Sequence, residues 1–127
     1  MGTALTIAVK RIHEPVGPAD GARFLVDRLW PRGVSKEKAA LAAWLKPLAP
    51  SDVLRKLYHG ETAESDAAWD AFRCAYVAEL DAGGEAVRAA LFVLDAAAAA
   101  GPVTLLYAAK SAERNNAVAL REWLLQL

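Results

Sequence analysis

Ten residues, FLVDRLWPRG from Phe24 to Gly33, hold much of the chain's capacity for chemistry. They open with three large apolar residues, the pattern of a strand entering a core. Asp27, Arg28, Trp30, Pro31 and Arg32 then follow in quick succession. A carboxylate can orient a cation or carry a proton, and guanidinium groups hold phosphate or carboxylate through paired N–H donors. Further candidates lie far off in the chain. Lys10, Arg11 and His13 end an apolar alternation near the N-terminus, and Lys110 ends the run VTLLYAA, with Asn115 and Asn116 just beyond. If the three apolar runs are parallel strands, these residues gather at the carboxyl ends, where open α/β sheets bind ligands. Arg11, Asp27, Arg28, Arg32, Lys110, Asn115 and Asn116 are the expected ligand-binding set, and an anionic small molecule is the expected partner. Two helix starts, at Gly33-Val34-Ser35 and at Ser111, are expected to add free N–H groups there.

Period-two alternation places Asp27 on the sheet face of Leu25 and Leu29, and Arg28 on that of Val26 and Trp30. Asp27 then needs a cation from another strand, Arg11 or Lys110 being nearest, because an unpaired buried carboxylate is costly. Plainer roles stand beside each of these. Asp27 can be a structural counter-ion, Arg28 and Arg32 can bridge strand to helix, and Trp30-Pro31 can be a packing corner. Lys110 can snorkel, and the asparagines can cap a helix. His13 and His59 are the candidate acid–base groups, both in loop-like settings. Cys74 has only Arg73 as a basic neighbour, too little to activate a thiol. The chain contains no Walker loop, G-x-G-x-x-G, G-x-S-x-G, H-E-x-x-H or zinc-ligand spacing, so no metal is expected, no cofactor is indicated and no motif names a catalytic residue.

The elements that must position these residues are legible from periodicity. A first strand is expected within Thr3–Ile12, a second over Phe24–Leu29 and a third over Val103–Ala109. The last two are near-continuous apolar runs, which suits a parallel sheet covered on both faces. A hairpin between the first two would carry Lys10 and Arg11 to the far edge, since about a dozen linking residues is near the minimum for a parallel crossover. Ser35 is expected to cap a helix carrying Leu41, Trp44 and Leu45 and stopped by Pro47. Ser51 caps a short helix ended by Gly60, and Ser65 opens a longer one with Trp69, Phe72, Tyr76 and Leu80 on one stripe. Val87, Leu91, Leu94 and Ala98 mark a further helix before Gly101-Pro102, and Ser111 caps a last one burying Ala117, Leu120, Leu124 and Leu127. The expected architecture is a single small α/β domain over residues 1–127. Its short, mainly parallel sheet of about three strands is covered by helices, with a helical insertion between strands two and three.

Composition sets the outer bounds. The chain has 127 residues, 55% of them hydrophobic, with Lys+Arg 15 against Asp+Glu 15. That is enough for one core without staples. The neutral balance argues against a general nucleic-acid binder. Charge is uneven, however: Lys10 to Lys38 is basic on balance, while Glu61 to Glu85 is acidic apart from Arg73 and reads as a solvated helix face. One cysteine allows no disulfide within the chain, no signal peptide is recognised, and AALFVLDAAAAAG is too short to span a bilayer. A soluble, cytoplasmic setting without a membrane partner is expected.

KRI, FLVDRLWPRGVSKEKAAL, WLKPLAPSDVLRKLYHGE and LLYAAKSAERNNAVALREWL together resemble the YeaO-like branch of a large family of uncharacterised bacterial proteins, over nearly the whole chain. The resemblance implies a small cytoplasmic α/β domain of unknown function. Longer relatives carry VDVR…PRS, similar to VDRLWPRG, and a Cys-His-Arg cluster in the region similar to Arg114-Asn115-Asn116-Ala117. On that alignment this chain has asparagine where those relatives have Cys and His, which speaks against thiol- or histidine-based activity and leaves the Arg28, Arg32 and Lys110 site untouched. Three functions follow as expectations. The first is binding of a phosphate- or carboxylate-bearing small molecule. The second is an enzyme acting on a nucleotide or phosphorylated metabolite with an Asp or His acid–base group. The third is a non-catalytic protein- or nucleic-acid-interaction module.

Overall fold

The strand Val103–Tyr107 is buried at every position, because it lies between two other strands and is covered on both faces. The computed structural model describes residues 6–58 and 65–127. Thr3–Leu5 of the expected first strand, together with His59 and Gly60, lie outside the described residues. In chain order the elements are β1 (Ile7–Arg11), β2 (Ala22–Leu25), α1 (Lys36–Ala39), β3 (Ala43–Trp44), a 3-10 turn (Lys46–Leu48), α2 (Asp52–Leu57), α3 (Asp66–Asp81), α4 (Gly84–Ala100), β4 (Val103–Tyr107) and α5 (Asn116–Leu124). The sheet order is β1-β4-β2-β3 and every pairing is parallel. The α/β class and the parallel sheet are as expected. No hairpin joins β1 to β2: β4 sits between them, Ile7 against Val103 on one side and Ala22 against Val103 on the other.

The sheet has four strands rather than about three, and the extra one corrects a helix expectation. Ser35 does cap a helix, its hydroxyl accepting from the Lys38 amide at 3.1 Å, but α1 ends after one turn where Ala40 enters the left-handed region at φ 47°. Ala43-Trp44 then pairs beside Phe24-Leu25. Leu41, Trp44 and Leu45 recur at helical spacing, yet the backbone is drawn to the open edge of β2, with the Ala42 amide donating to Arg23 and the Leu45 amide to Leu25. At the other end of the chain Asn115, not Ser111, caps α5, accepting from the Val118 amide at 2.9 Å. Leu127 is exposed rather than buried.

The two faces of the sheet differ. On one, Phe24, Val26, Leu105 and Tyr107 pack with Trp69, Phe72, Tyr76, Leu94 and Leu120 from the helices, and Tyr76 donates its hydroxyl to the Leu48 carbonyl at 2.5 Å. Trp69 is buried and Trp44 and Trp123 are partly buried against the two cores, so no tryptophan is left as an exposed contact. On the other face Leu25 and Leu106 meet Ile12, Ala39, Trp30 and Trp44. This second face also holds a polar network that sequence reasoning missed. Arg23, in the middle of β2 and only 2% exposed, pairs with Asp20 at 2.6 Å and donates to the Ala39 carbonyl at 2.9 Å. Lys10 reaches the same carboxylate at 3.1 Å, and Thr104 donates to the Asp20 carbonyl. Burial alone would raise the Asp20 carboxyl, but the Gly17 amide and the two cations hold it below its ordinary value. Among the described residues, no helix is long and apolar enough to cross a membrane.

Candidate functional site

Because all strands are parallel, their carboxyl ends share one edge, and a cavity of about 310 Å³ opens there. Its charged and polar walls are Asp27, Arg28, Arg55 and Asn116, and its apolar walls include Trp30, Pro31 and Pro50. The volume is at the small end of ligand sites, about 300–1,000 Å³.

Asp27 is held at both of its carboxylate oxygens. One carboxylate oxygen accepts from the Ala108 amide at 3.0 Å and the other from the Asn116 side-chain amide at 3.0 Å. The same Asn116 nitrogen donates to the Val26 carbonyl at 2.8 Å, and the Trp44 indole donates to the Asp27 carbonyl at 2.7 Å. Asp27 stands two residues beyond the end of β2, where alternation no longer sets direction. Its carboxylate meets α5, while Trp30 packs with Leu25 and Leu106 instead of sharing a face with Val26. The indole of Trp30 donates to the Val34 carbonyl and meets Trp44 edge-on, so the packing corner is real even as the ring lines the cavity.

The expected cation partner of Asp27 is not there. Arg11 turns its Nε to the carbonyls of Ala108 and Ala109, at 3.3 and 3.2 Å, and so braces the loop after β4. Lys110 is exposed. No described cation lies within ion-pair distance of Asp27. Burial is therefore the leading influence and raises its carboxyl above the ordinary 3.8, against the Asn116 and Ala108 hydrogen bonds and the more distant charges of Arg55 and His13.

Asp27 and Asp20 thus act in opposite directions on stability against pH. The folded chain holds the Asp27 proton more tightly than the unfolded chain, so this group's contribution is greatest below 3.8 and falls as pH rises through the folded value. For Asp20 the contribution is complete above 3.8 and is lost as pH falls through its depressed folded value. Thermal melts across pH are expected to show a decline on the less acidic side that Asp27→Asn flattens, with the acid arm unchanged. A profile indifferent to that substitution rejects the assignment.

The seven expected site residues thus separate. Asp27, Arg28 and Asn116 line the cavity together, Arg11 stands behind it, and Asn115 is buried as the α5 cap, donating to Ser111 and accepting from Val118. Arg32 and Lys110 are exposed and do not line it. His13, Gly33 and Lys38 belong to a separate cavity of about 420 Å³, which shares no lining residue with the first. The residue that sequence reasoning missed is Arg55. It sits on α2, whose start is pinned to α3 by Ser51, which donates both its amide and its hydroxyl to Glu79 at 2.9 and 2.5 Å. Its Nε is buried with no hydrogen-bond partner among the described residues. The only sequence signal was local: Arg55 follows buried Leu54 on a capped helix, so it had to lie at the border of a buried face.

Parallel strands, helices packed on the sheet and a cavity with a few charged walls at the carboxyl edge define a small α/β domain. The family model described as the inactive DUF488-N3 subclade matches residues 6–127. The chain is 41% identical over 123 residues to the uncharacterized protein YeaO of Escherichia coli (strain K12), covering 97% of this chain and 100% of that protein. It is 35% identical over 118 residues to the uncharacterized proteins Mb3100c of Mycobacterium bovis and Rv3073c of Mycobacterium tuberculosis, covering 93% of this chain and 92% of each relative. The chain belongs to this YeaO-like DUF488-N3 family, as its motifs suggested. No solved structure matches it.

Proposed function

We propose that the chain is a cytoplasmic binding protein for a small phosphate- or carboxylate-bearing molecule, held without turnover in the cavity at the strand ends. The observation that carries this is the meeting of Arg28 and Arg55, from β2's exit and from α2, on one cavity with Asp27 and Asn116. The anion lies between the two guanidiniums, its uncharged part lies on Trp30, Pro31 and Pro50, and Asp27 with Asn116 selects a polar group on the ligand. Arg28 makes no hydrogen bond or ion pair with the described residues, so its donors are available. Arg32 and Lys110, outside the lining, add long-range attraction only. Binding without turnover agrees with the family's description as inactive and with asparagine at 115 and 116. The single cysteine, unpaired and exposed, suits a reducing compartment.

A thermal-shift screen of phosphorylated metabolites, nucleotides and short carboxylic acids, followed by calorimetry on the hits, tests this. Arg28→Ala and Arg55→Ala are each expected to weaken a hit by about tenfold or more, the loss of a charged hydrogen bond. Arg32→Ala should stay close to the parent. An empty screen, or hits that neither Arg28→Ala nor Arg55→Ala affects, retires the proposal. The raised Asp27 carboxyl favours one second reading, an acid–base enzyme on the same ligands. Turnover abolished by Asp27→Asn in a folded protein would establish that reading instead.

A further inference from the structure

We propose that the outer face of α4 pairs two copies of this chain, antiparallel about a two-fold axis beside Phe92. Ala89, Phe92, Val93, Ala96, Ala99 and Ala100 recur at three- and four-residue spacing and are all exposed, Phe92 at 76% and Val93 at 43%. The opposite stripe, Val87, Ala90 and Leu94, is buried in the core. α4 is thus apolar on both its inner and outer faces, the character of a helix covered on both sides. Scattered apolar residues at a surface need no explanation; a continuous stripe with an aromatic at its centre does.

The charges along one edge of this stripe say what covers it. Arg88 and Asp95 are both exposed and stand two turns apart, about 10.5 Å at the helical rise. Arg88 has only an exposed partner within its own helix, Glu85, and Asp95 has no hydrogen bond or ion pair with the described residues. A two-fold axis perpendicular to both helices reverses their direction and keeps the same edge of each on the same side. With the axis passing between Leu91 and Phe92, Arg88 of each copy meets Asp95 of the other. The edge is its own complement. The same axis brings the two Phe92 rings together and lays Ala96 near Ala89 of the second copy, where small side chains let helices approach to about 8–10 Å.

Other occupants fit less well. A helix that lies on a membrane surface carries lysine and arginine around its apolar face, whereas this one has Arg88 and Asp95 along one edge and Glu85 in line with the stripe at its N-terminal end. An unlike protein would have no need of a charge pattern that inverts onto itself. One 17-residue helix, about 25 Å long, covers less than the about 800 Å² per partner of a standard interface. An interface of that size belongs with weak, transient association.

Sedimentation equilibrium on the full chain, from low micromolar to sub-millimolar concentration, tests this. Reversible dimerisation is expected, weakened by salt. Phe92→Asp should abolish it with an unchanged thermal melt, since the side chain is exposed. Arg88→Asp and Asp95→Arg should each weaken it by about tenfold, because each replaces two attractive contacts by two repulsive ones. The double exchange should restore it. A monomer throughout the range, a dimer indifferent to Phe92→Asp, or a double exchange no better than the single changes overturns the proposal.

Discussion

Asp20→Ala is expected to cost about 3–5 kcal/mol in denaturant unfolding, the effect of leaving a buried guanidinium without its counter-charge. Arg23 lies in a central strand with its side chain 2% exposed, and Asp20 is the carboxylate it pairs with. Lys10, at 20%, can turn to water when Asp20 goes, but Arg23 cannot. One Arg23 nitrogen already lacks a hydrogen-bond partner among the described residues, so none of them stands ready to take over as acceptor. Domains of this size have about 5–15 kcal/mol in total. The change therefore removes a large part of the margin. Asp20→Ala combined with Arg23→Met should recover most of the loss, because an apolar side chain of similar length needs no counter-charge. A cost below about 1 kcal/mol for Asp20→Ala would show that the network holds nothing together.

The second large effect is expected one residue along. Gly21 has φ +63°, and a Cβ there would stand 2.0 Å from the Pro102 carbonyl oxygen. That oxygen accepts the Ala22 amide at 3.1 Å, the bond that starts the pairing of β2 with β4. Gly21→Ala therefore combines a left-handed backbone with a clash against backbone, which has no rotamer to move to, and at least about 3 kcal/mol is expected. Gly33→Ala is the control. Its φ is +74° but nothing lies within 4 Å, so only the conformational penalty of about 1–2 kcal/mol should appear. Equal losses for the two in urea unfolding would contradict the clash.

The stripes of Trp69 to Leu80 and Val87 to Leu94 gave α3 and α4 nearly to the residue, because caps and glycines bounded them. The apolar runs mark β2 and β4 and burial on both faces points to parallel pairing, but β2 spans Ala22–Leu25 instead of Phe24–Leu29: Arg23 enters the strand because Asp20 neutralises it, and the chain leaves the sheet before Asp27. Leu41, Trp44 and Leu45 have the helical period, which predicts helix through Ala43-Trp44; what overrides it is a tertiary fact, the open edge of β2. Ser111 looked like a cap because serine usually is one, but Asn115 lies nearer the helix and accepts the right amide. Asp27 is legible as a carboxylate where a buried strand ends. Its surroundings are not, since two neutral donors and no cation face it. Arg55 comes from a different element altogether, and no spacing rule connects it to Asp27.

The position of β4 also bears on how the chain is made. Among the described strands it is the last to be synthesised and it lies between β1 and β2, so β1 has no partner and β2 has only β3 until residues beyond Pro102 have left the ribosome. Until then the nascent chain presents two short apolar strands with open hydrogen-bonding edges, the kind of species that chaperones shield. Completion of the sheet is therefore a late, non-local event in biosynthesis, and truncation before Val103 leaves a chain that cannot close its own core.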